Sequence, residues 1–339
     1  MDDRFRDILE RGYRREENSQ EDSEYLLTFD ENSPEADELI SVTDRFVRER
    51  CANKGYIAAQ IGVIVGPCYA DCAFCNFASS TTDVEQYSMK SDELSRYLRH
   101  IVENGMVSTV SLMTIHNFDF EEFLECVETA RKILPEDIEI STNTGDLDLQ
   151  EAVRLRKAGV SSAYHAIRLG ESIDNWLEPR GRLDTIKNLK KAGIRVATGV
   201  EPIGPEHSVH EICGNYFRAM EFGADRCSAS ARESVPGTRL EKAGVISPKR
   251  LLQIRSALLI CSTWCDNTEF GFYGGFYGGF NRIFAEYAGS PKDIEELSEK
   301  GLQRTVDWAK NRLESDGYRL SRLPPSRPLR TCPHPDPQA

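Results

Sequence analysis

The chain has 339 residues, of which 40% are hydrophobic and 29% are charged, the composition of an ordinary globular protein. No stretch approaches the ~20 uninterrupted apolar residues that a membrane span needs. The charged N-terminus, MDDRFRDILERGYRREENSQEDSE, is typical of neither a signal nor a transit peptide, so we expect a cytoplasmic protein without a membrane partner. The formal net charge of −13 disfavours nucleic acid as a partner, because an acidic surface repels phosphate backbones, but leaves small-molecule substrates open.

The N-terminal part of the chain, residues 1–54, is predicted to be a helical extension. Residues 1–32 are polar and charge-dense, and they indicate a loose helical lead-in. Ser33 and Pro34 then supply an N-cap and a proline at the first position of a helix. Apolar residues recur along this helix with helical spacing at Leu39, Val42 and Phe46.

After this extension the pattern changes to apolar strands that alternate with amphipathic helices. Near-continuous apolar strands joined by helices are typical of a parallel sheet covered by helices. About eight strand–helix units suit an α/β fold of the (β/α)₈ TIM-barrel type, complete or partly open, over residues 55–290, and a doubly wound open sheet is the alternative. Helices and a Pro-rich tail are expected over residues 291–339. The predicted strands cover residues 56–65, 107–115, 137–142, 160–167, 194–204 and 224–231; the predicted helices cover residues 91–104, 119–133, 182–193, 208–222 and 247–260.

Three of the ten cysteines lie on one short segment, GPCYADCAFCNF, directly after the first predicted strand. Cys68, Cys72 and Cys75 form a C-x3-C-x2-C arrangement. Three thiolates on one loop can bind three irons of a cubane cluster and leave the fourth iron open to an exchangeable ligand. Structural zinc instead takes four ligands, usually from two separated pairs. A redox dithiol of Cys72 and Cys75 would leave Cys68 unexplained.

The spacing of the cysteines, their position after a strand and their flanking residues resemble the radical S-adenosylmethionine (SAM) superfamily, over about residues 50–290 and most closely its biotin-synthase-like group. The resemblance implies a barrel whose first loop holds a [4Fe-4S] cluster on Cys68, Cys72 and Cys75, with SAM bound to the open iron. It also implies reductive cleavage of SAM to a 5′-deoxyadenosyl radical that takes hydrogen from a small-molecule substrate. Ferredoxin or flavodoxin would donate the electron, and biosynthesis of a cofactor or modified metabolite is the expected role.

The resemblance also implies cofactor and substrate contacts at the ends of later strands. Phe74, just before the third cysteine, matches an aromatic residue that lies near the adenine. Arg168 and Glu171 are candidates for the SAM carboxylate and ribose, because a guanidinium binds a carboxylate through two hydrogen bonds. Glu201 is the candidate catalytic residue, because a buried acid at a strand end is costly without a partner. The other candidate cofactor-binding residues are Met113, Thr114, Asn143, Gly204 and Arg232.

A second cluster is an open question at this point. Biotin synthase holds a sulfur-donating cluster on lumen cysteines, and the matching strand ends of this chain carry Met113, Asn143 and Thr198 instead. A two-cluster sulfur-inserting synthase, like lipoyl or biotin synthase, would have to use other cysteines, for which ordinary packing is the competing interpretation. A non-catalytic iron–sulfur or zinc-binding scaffold is a further alternative. The cysteines available for an auxiliary cluster are Cys261, Cys265 and Cys332.

Overall fold

The computed structural model describes residues 2–262, 267–269, 278–287 and 304–322. Helices precede the first long strand, and strands and helices then alternate along the chain. The elements are α1 (Asp3–Arg14), α2 (Gln20–Leu26), α3 (Pro34–Arg50), β1 (Lys54–Val65), β2 (Tyr87–Ser88), α4 (Ser91–Asn104), β3 (Val107–Thr114), α5 (Phe120–Ile133), β4 (Glu139–Asn143), α6 (Leu149–Ala158), β5 (Val160–Tyr164), α7 (Pro179–Lys191), β6 (Arg195–Ile203), α8 (Val209–Glu221), β7 (Arg226–Ala231), α9 (Pro248–Ile260), β8 (Asn267–Glu269), β9 (Phe280–Tyr287), α10 (Val306–Ser315) and β10 (Arg319–Leu320).

The long strands form one curled parallel sheet in the order β7-β6-β5-β4-β3-β1-β9-β8. Strands that follow one another from β3 to β7 are neighbours, and right-handed crossovers therefore place their helices on the same face of the sheet. Among the residues that the structure describes, no ladder joins the two edge strands, β7 and β8. The fold is thus a partly open barrel, as predicted, and the doubly wound alternative is wrong because the helices that join β3 to β7 lie on one face of the sheet.

Each barrel strand divides its side chains between the outer core and the lumen. On β3, Val110 and Leu112 pack into the apolar cluster beneath the helices. Thr109, Ser111 and Met113 alternate with them and face the lumen. Every second side chain of this part of β3 therefore lines the inside of the barrel, and two of the three, Thr109 and Ser111, carry hydroxyl groups.

The first two helices differ from the predicted loose lead-in, because they are firmly packed. Phe5, Ile8 and Leu9 of α1 are buried in an apolar cluster with residues of α3, α8 and α9. The charged residues that dominate the composition occupy the opposite side of α1, which is why the composition concealed an amphipathic helix. The Asp2 side chain caps α1 by accepting from the Phe5 amide at 2.9 Å. The two helices pack on the barrel's outer helices, α1 against α3 and α9 and α2 against α8 and α9.

The C-terminal segment that the structure describes returns to the start of β1. β10 pairs with it in parallel, with Lys54 opposite Arg319 and Gly55 opposite Leu320. A side chain at Gly55 would lie 3.0 Å from Tyr318, which explains the glycine at this close approach. Cys265 and Cys332 lie outside the described residues. No helix in the described ranges is long and apolar enough to cross a membrane.

Candidate SAM and iron–sulfur site

The cysteine loop follows β1 at the end of the barrel where the parallel strands terminate. Cys68 and Cys72 are buried, and Cys75 is half-buried. Within the loop, the Cys68 amide donates to the Phe77 carbonyl at 2.8 Å, and the Cys75 amide donates to the Cys72 carbonyl at 3.0 Å. The backbone itself therefore brings the three cysteines to one side of the loop.

The loops after β5 and β7 clamp the cysteine loop through backbone hydrogen bonds. The Ala73 amide donates to the Asp174 carbonyl at 2.7 Å, and the Ala73 carbonyl accepts from the Leu240 amide at 3.0 Å. The Trp176 amide also donates to the Ala70 carbonyl at 2.9 Å. The position of the cysteines thus depends on segments that are distant in sequence.

Two of the three sulfur atoms each accept from one backbone amide. The His116 amide lies 3.4 Å from Cys68 Sγ, and the Phe77 amide lies 3.4 Å from Cys75 Sγ. Burial raises the pKa of Cys72 to about 12 and also raises the pKa of Cys75. Without metal, Cys72 and Cys75 are therefore protonated thiols at neutral pH, and coordination to iron would deprotonate them.

This donor set fits a [4Fe-4S] cluster. Such clusters are held by cysteine thiolates, and the three thiols of this loop line one cavity. Within the described ranges, no three His, Cys, Asp or Glu side chains are grouped closely enough to share one metal ion. A cubane does not require such a group, because each thiolate binds a different iron.

The cavity beside the cysteine loop, called here the cofactor cavity, has a volume of about 220 Å³. It combines thiols, apolar side chains, hydrogen-bonding groups and cationic side chains, and so offers contacts for an aromatic base and for a carboxylate. Its walls include most of the predicted cofactor contacts. The lining residues are Gly62, Val65, Cys68, Ala70, Cys72, Phe74, Cys75, Phe77, Met113, Thr114, Ile115, His116, Asn143, Thr144, Arg168, Leu177 and Arg182.

A second cavity of about 240 Å³ occupies the barrel lumen. Met113 and Asn143 belong to the walls of both cavities, and Asn143 Nδ2 lies 3.9 Å from Met113 Sδ. These two side chains therefore stand between the cofactor cavity and the lumen cavity. The lumen is lined by Gln60, Thr109, Ser111, Met113, Ser141, Asn143, Ser162, Tyr164, Ala197, Thr198, Glu201, Arg226, Ser228, Arg282 and Phe284.

An ion pair connects the two cavity walls. Arg168 lines the cofactor cavity, Glu201 lines the lumen, and Arg168 Nε lies 3.2 Å from Glu201 Oε1. Burial disfavours the charged form of Arg168, but Glu201 and Cys72 outweigh it and raise the pKa of the guanidinium. Burial and then Glu201 raise the pKa of Tyr164 well above its ordinary value, so this lumen side chain stays a neutral phenol.

Asp146, just after β4, holds a second arginine at the cofactor cavity. Its carboxylate accepts from Arg182 Nη1 at 2.8 Å and from Thr185 Oγ1 at 3.3 Å, and it lies 3.2 Å from His165 Nε2. Burial opposes ionisation of Asp146, but His165 and Arg182 outweigh it and lower the pKa of the carboxyl. Burial and Arg182 lower the pKa of His165 to about 3, so this imidazole is neutral.

Glu171 does not line either cavity, in contrast to its predicted contact with the ribose. Its carboxylate accepts from the Arg168 amide at 2.6 Å and from Asn175 Nδ2 at 3.1 Å. The side chain turns back into its own loop, which is the loop that clamps Ala73. Glu171 thus stabilises the loop after β5, which in turn holds the cysteine loop in place.

Gly204 and Arg232 also lie outside the walls of both cavities, in contrast to their predicted contacts with SAM. Arg232 follows the last residue of β7, where its guanidinium pairs with Glu206 at 3.0 Å and donates to the Gly244 carbonyl at 2.7 Å. A side chain at Gly204 would lie 2.4 Å from Arg232 Nη2, so the glycine makes room for this ion pair. The two residues form a structural contact beyond the strand ends.

The sequence interpretation missed several charged residues of the cavity walls. Arg226 and Arg282 lie two residues before Ser228 and Phe284, which also line the lumen. Residues two positions apart on a strand face the same side, so the sequence could have predicted that both arginines point into the lumen. Arg182 lies on α7 and not at a strand end, and it lines the cofactor cavity because the fold brings this helix close to the loop after β4. Its place in the cavity could therefore not be predicted from the sequence pattern.

Comparison with known proteins agrees with this architecture. Residues 63–216 match the family model of the radical SAM superfamily. The biotin synthase of Acetivibrio thermocellus is 24% identical over 244 residues, which cover 67% of this chain and 75% of that protein. The crystal structure of methylornithine synthase (PylB) superposes with a TM-score of 0.78 at 17% identity, covering 93% of this chain and 97% of that chain. The [FeFe]-hydrogenase maturase HydG gives a TM-score of 0.77 at 16% identity, covering 94% and 76% of the two chains.

The curled parallel sheet, with three cysteines on the loop after its first strand, agrees with the family match, which supports cleavage of SAM at an iron–sulfur cluster. The chain thus matches the radical SAM superfamily over residues 63–216, and it resembles a biotin synthase in sequence and PylB and HydG in fold. At these identities the likeness to solved structures concerns the fold, and the identity of the substrate is a separate question.

Proposed function

We propose that this protein is a one-cluster radical SAM enzyme that acts on a small molecule bound in the barrel lumen, in the biosynthesis of a cofactor or a modified metabolite. Cys68, Cys72 and Cys75 would hold the cluster, which would supply the electron for reductive cleavage of SAM to methionine and a 5′-deoxyadenosyl radical that takes hydrogen from the substrate. The electron would come from ferredoxin or flavodoxin. The observation that carries the proposal is the pair of cavities that share Met113 and Asn143.

The chain's own residues would bind and orient SAM in the cofactor cavity. Arg168 and Arg182 supply cations for its carboxylate, and Asp146 holds Arg182 in place. Phe74 and Leu177 supply apolar surface for the adenine. Further hydrogen-bonding groups are available from Thr114, Asn143 and Thr144.

Glu201 is proposed to act on the substrate side of the site. It lines the lumen while its carboxylate is held by Arg168, so it can accept a hydrogen bond or a proton from a bound molecule without moving far. Substrate and SAM would therefore be oriented through one shared ion pair.

A sulfur-inserting reaction would require a second cluster, and the described lumen wall contains no cysteine. Cys261 is buried at the C-terminus of α9, in the apolar cluster that includes the N-terminal helices. Burial raises its pKa well above the ordinary value, as expected for a thiol in a core. The packing of Cys261 thus favours a single cluster.

Anaerobic reconstitution followed by reduction in the presence of SAM tests the proposal. We expect about four irons per chain and formation of 5′-deoxyadenosine and methionine. Substitution of Cys68, Cys72 or Cys75 by serine should abolish cluster binding and the formation of 5′-deoxyadenosine. The control is Cys126→Ser, which changes a buried core thiol and should leave the iron content unchanged. Absence of 5′-deoxyadenosine from a fully reconstituted sample would refute the radical mechanism. About eight irons, lowered by Cys261→Ser, would instead establish the two-cluster alternative.

A further inference from the structure

A group of charged side chains lies at the bottom of the lumen, away from the cysteine loop. Glu139, Arg195 and Arg226 are the first residues of β4, β6 and β7. Arg282 on β9 lies opposite Tyr56, near the start of β1. The N-terminal ends of parallel strands form the bottom of a barrel, whereas the chemistry takes place at their C-terminal ends. We call these four charged residues the lumen floor.

Glu139 links the arginines of the lumen floor. Arg195 forms an ion pair with its carboxylate, and Thr109 Oγ1 donates to it at 3.2 Å. Arg282 Nη1 in turn donates to Thr109 Oγ1 at 3.2 Å. Burial favours the neutral form of Glu139, but Arg195, Arg226 and Arg282 outweigh it and lower the pKa of the carboxyl. One buried carboxylate is thus surrounded by three guanidinium groups.

Two of these guanidinium groups, Arg226 and Arg282, also belong to the wall of the lumen cavity. Glu201 is the acid of that wall in the part of the chain that the structure describes, and it is paired with Arg168 near the cofactor cavity. The lumen is therefore cationic at the floor and lined by hydroxyl groups above it. The hydroxyl-bearing residues of the wall are Thr109, Ser111, Ser141, Ser162, Tyr164, Thr198 and Ser228.

We propose that the lumen binds a small polar molecule that carries an anionic group, a carboxylate or a phosphate, and that Arg226 and Arg282 hold this group at the floor. The inference rests on the proposed function and specifies its substrate class. Guanidinium groups bind both kinds of anion through paired, charge-assisted hydrogen bonds. The carbon that loses hydrogen would then face Met113 and Asn143, at the boundary with the cofactor cavity.

The size and the lining of the cavity narrow the substrate class further. A volume of about 240 Å³ is below the roughly 300–1,000 Å³ of pockets that hold drug-sized ligands. The lumen therefore suits a molecule the size of an amino acid or a small sugar phosphate, and a peptide or a nucleotide is too large. The many hydroxyl groups of the wall favour a ligand with its own hydrogen-bonding groups along its length.

Calorimetric titration of the reconstituted, SAM-loaded protein tests this inference with four named probes. Glutarate and glycerol 3-phosphate carry the two anionic groups, whereas 1,5-pentanediol and cadaverine are neutral and cationic molecules of similar length. We expect glutarate or glycerol 3-phosphate to bind roughly ten-fold or more tightly than the other two probes. The better of the two anions then identifies the group as a carboxylate or a phosphate.

Substitutions in the lumen floor test whether the anion binds at Arg226 and Arg282. Arg226→Gln and Arg282→Gln should each weaken binding of the preferred anion roughly ten-fold, and Arg226→Lys should weaken it less because the charge remains. Arg154→Gln, which breaks an exposed ion pair with Glu121, is the matched control and should leave binding unchanged. Unfolding temperatures and iron contents of all variants show whether the fold and the cluster site survive the change.

Three results would overturn the inference: equal or tighter binding of 1,5-pentanediol or cadaverine, no binding of either anion, or unchanged anion binding by the folded floor variants. If SAM is cleaved on reduction but the anion preference is missing, the inference fails while the proposed function stands. If SAM is not cleaved, the proposed function fails, and the titrations still measure the anion preference of the lumen.

Discussion

The guanidinium of Arg168 and the carboxylate of Glu201 meet at 3.2 Å and join two cavities that have different lining chemistry. Arg168 has thiols and apolar side chains around it, whereas Glu201 has hydroxyl groups and a phenol around it. Each member of the ion pair therefore faces a different cavity, Arg168 on the SAM side and Glu201 on the substrate side.

Arg168→Gln should weaken SAM binding roughly ten-fold or more, because it removes a charge-assisted contact to the SAM carboxylate. Glu201→Gln keeps Arg168 and should change SAM affinity by less than about three-fold, while lowering the rate of substrate-dependent 5′-deoxyadenosine formation. Equilibrium dialysis with labelled SAM measures the first effect, and product analysis measures the second. Equal loss of SAM affinity in both variants would contradict this division of roles.

Asp146→Asn should lower the free energy of unfolding by about 1–3 kcal/mol at pH 7, because Arg182 loses its ionised partner. The pKa of Asp146 is lower in the folded state than in the unfolded state, so its contribution is present above the ordinary carboxyl pKa and is lost as the pH falls towards the folded value. The stability difference between the two proteins should therefore shrink below about pH 4. Urea unfolding of the metal-free proteins at pH 7 and at pH 3 to 4 measures it, and a constant difference would refute the assignment.

His165 should destabilise the folded protein as the pH falls. Its pKa is lowered from 6.5 to about 3, by burial and by Arg182. Below pH 6.5 the unfolded chain therefore takes up a proton that the folded chain excludes. Wild-type stability should fall by about 2–3 kcal/mol through this residue between pH 6.5 and about pH 4, and His165→Gln should remove that part of the decline.

The control for this pH profile is His210→Gln, which changes an exposed histidine on α8. It should leave the decline in stability as it is in the wild-type protein. A His165→Gln profile parallel to that of the wild-type protein would show that the imidazole is already accessible to protons in the folded state.

Gly199→Ala should destabilise the barrel by about 1–3 kcal/mol, because the new methyl group would clash with a lumen side chain. A Cβ at Gly199 would lie 2.5 Å from Tyr164 Oη. In the Tyr164→Phe background the clash is relieved, so the same substitution should cost less, and a double-mutant cycle measures the difference. Gly214→Ala on α8, whose nearest neighbour would be 3.6 Å away, is the control and should be neutral or stabilising.

The strands and helices could be predicted closely because the spacing of the hydrophobic residues differs between the two kinds of element. The predicted helix 91–104 has the bounds of α4, and the predicted strand 56–65 ends with β1. The strand predicted over 160–167 instead ends at Tyr164, where the His165 amide still donates to the Ala197 carbonyl at 2.9 Å before the chain turns into the clamping loop. Local periodicity cannot separate a short strand from the buried turn that follows it.

Side-chain direction limited the prediction of the site. Met113, Thr114 and Asn143 are the last residues of β3 and β4, and Phe74 lies between two of the cysteines, so the strand order brings them to the cofactor cavity. Arg168 lies four residues beyond β5 and also reaches this cavity. Other polar residues beyond a strand end turn instead to partners in the loops, as Glu171 and Arg232 do. Which way such a side chain turns depends on partners elsewhere in the chain, and the sequence does not reveal those partners.

Met113 and Asn143 form a partition between the lumen and the cofactor cavity, so the distance from this partition to the lumen floor sets the length of molecule that fits the lumen. A molecule anchored by its anionic group on Arg226 and Arg282 presents one particular carbon at the partition, and the distance between floor and partition selects which carbon that is. A shorter homologue would leave its reacting carbon below the partition, and a longer one would not fit beneath it. Regioselectivity in this enzyme would then follow from the depth of a barrel, set by strand length, and would not need a dedicated recognition residue beside the reacting carbon.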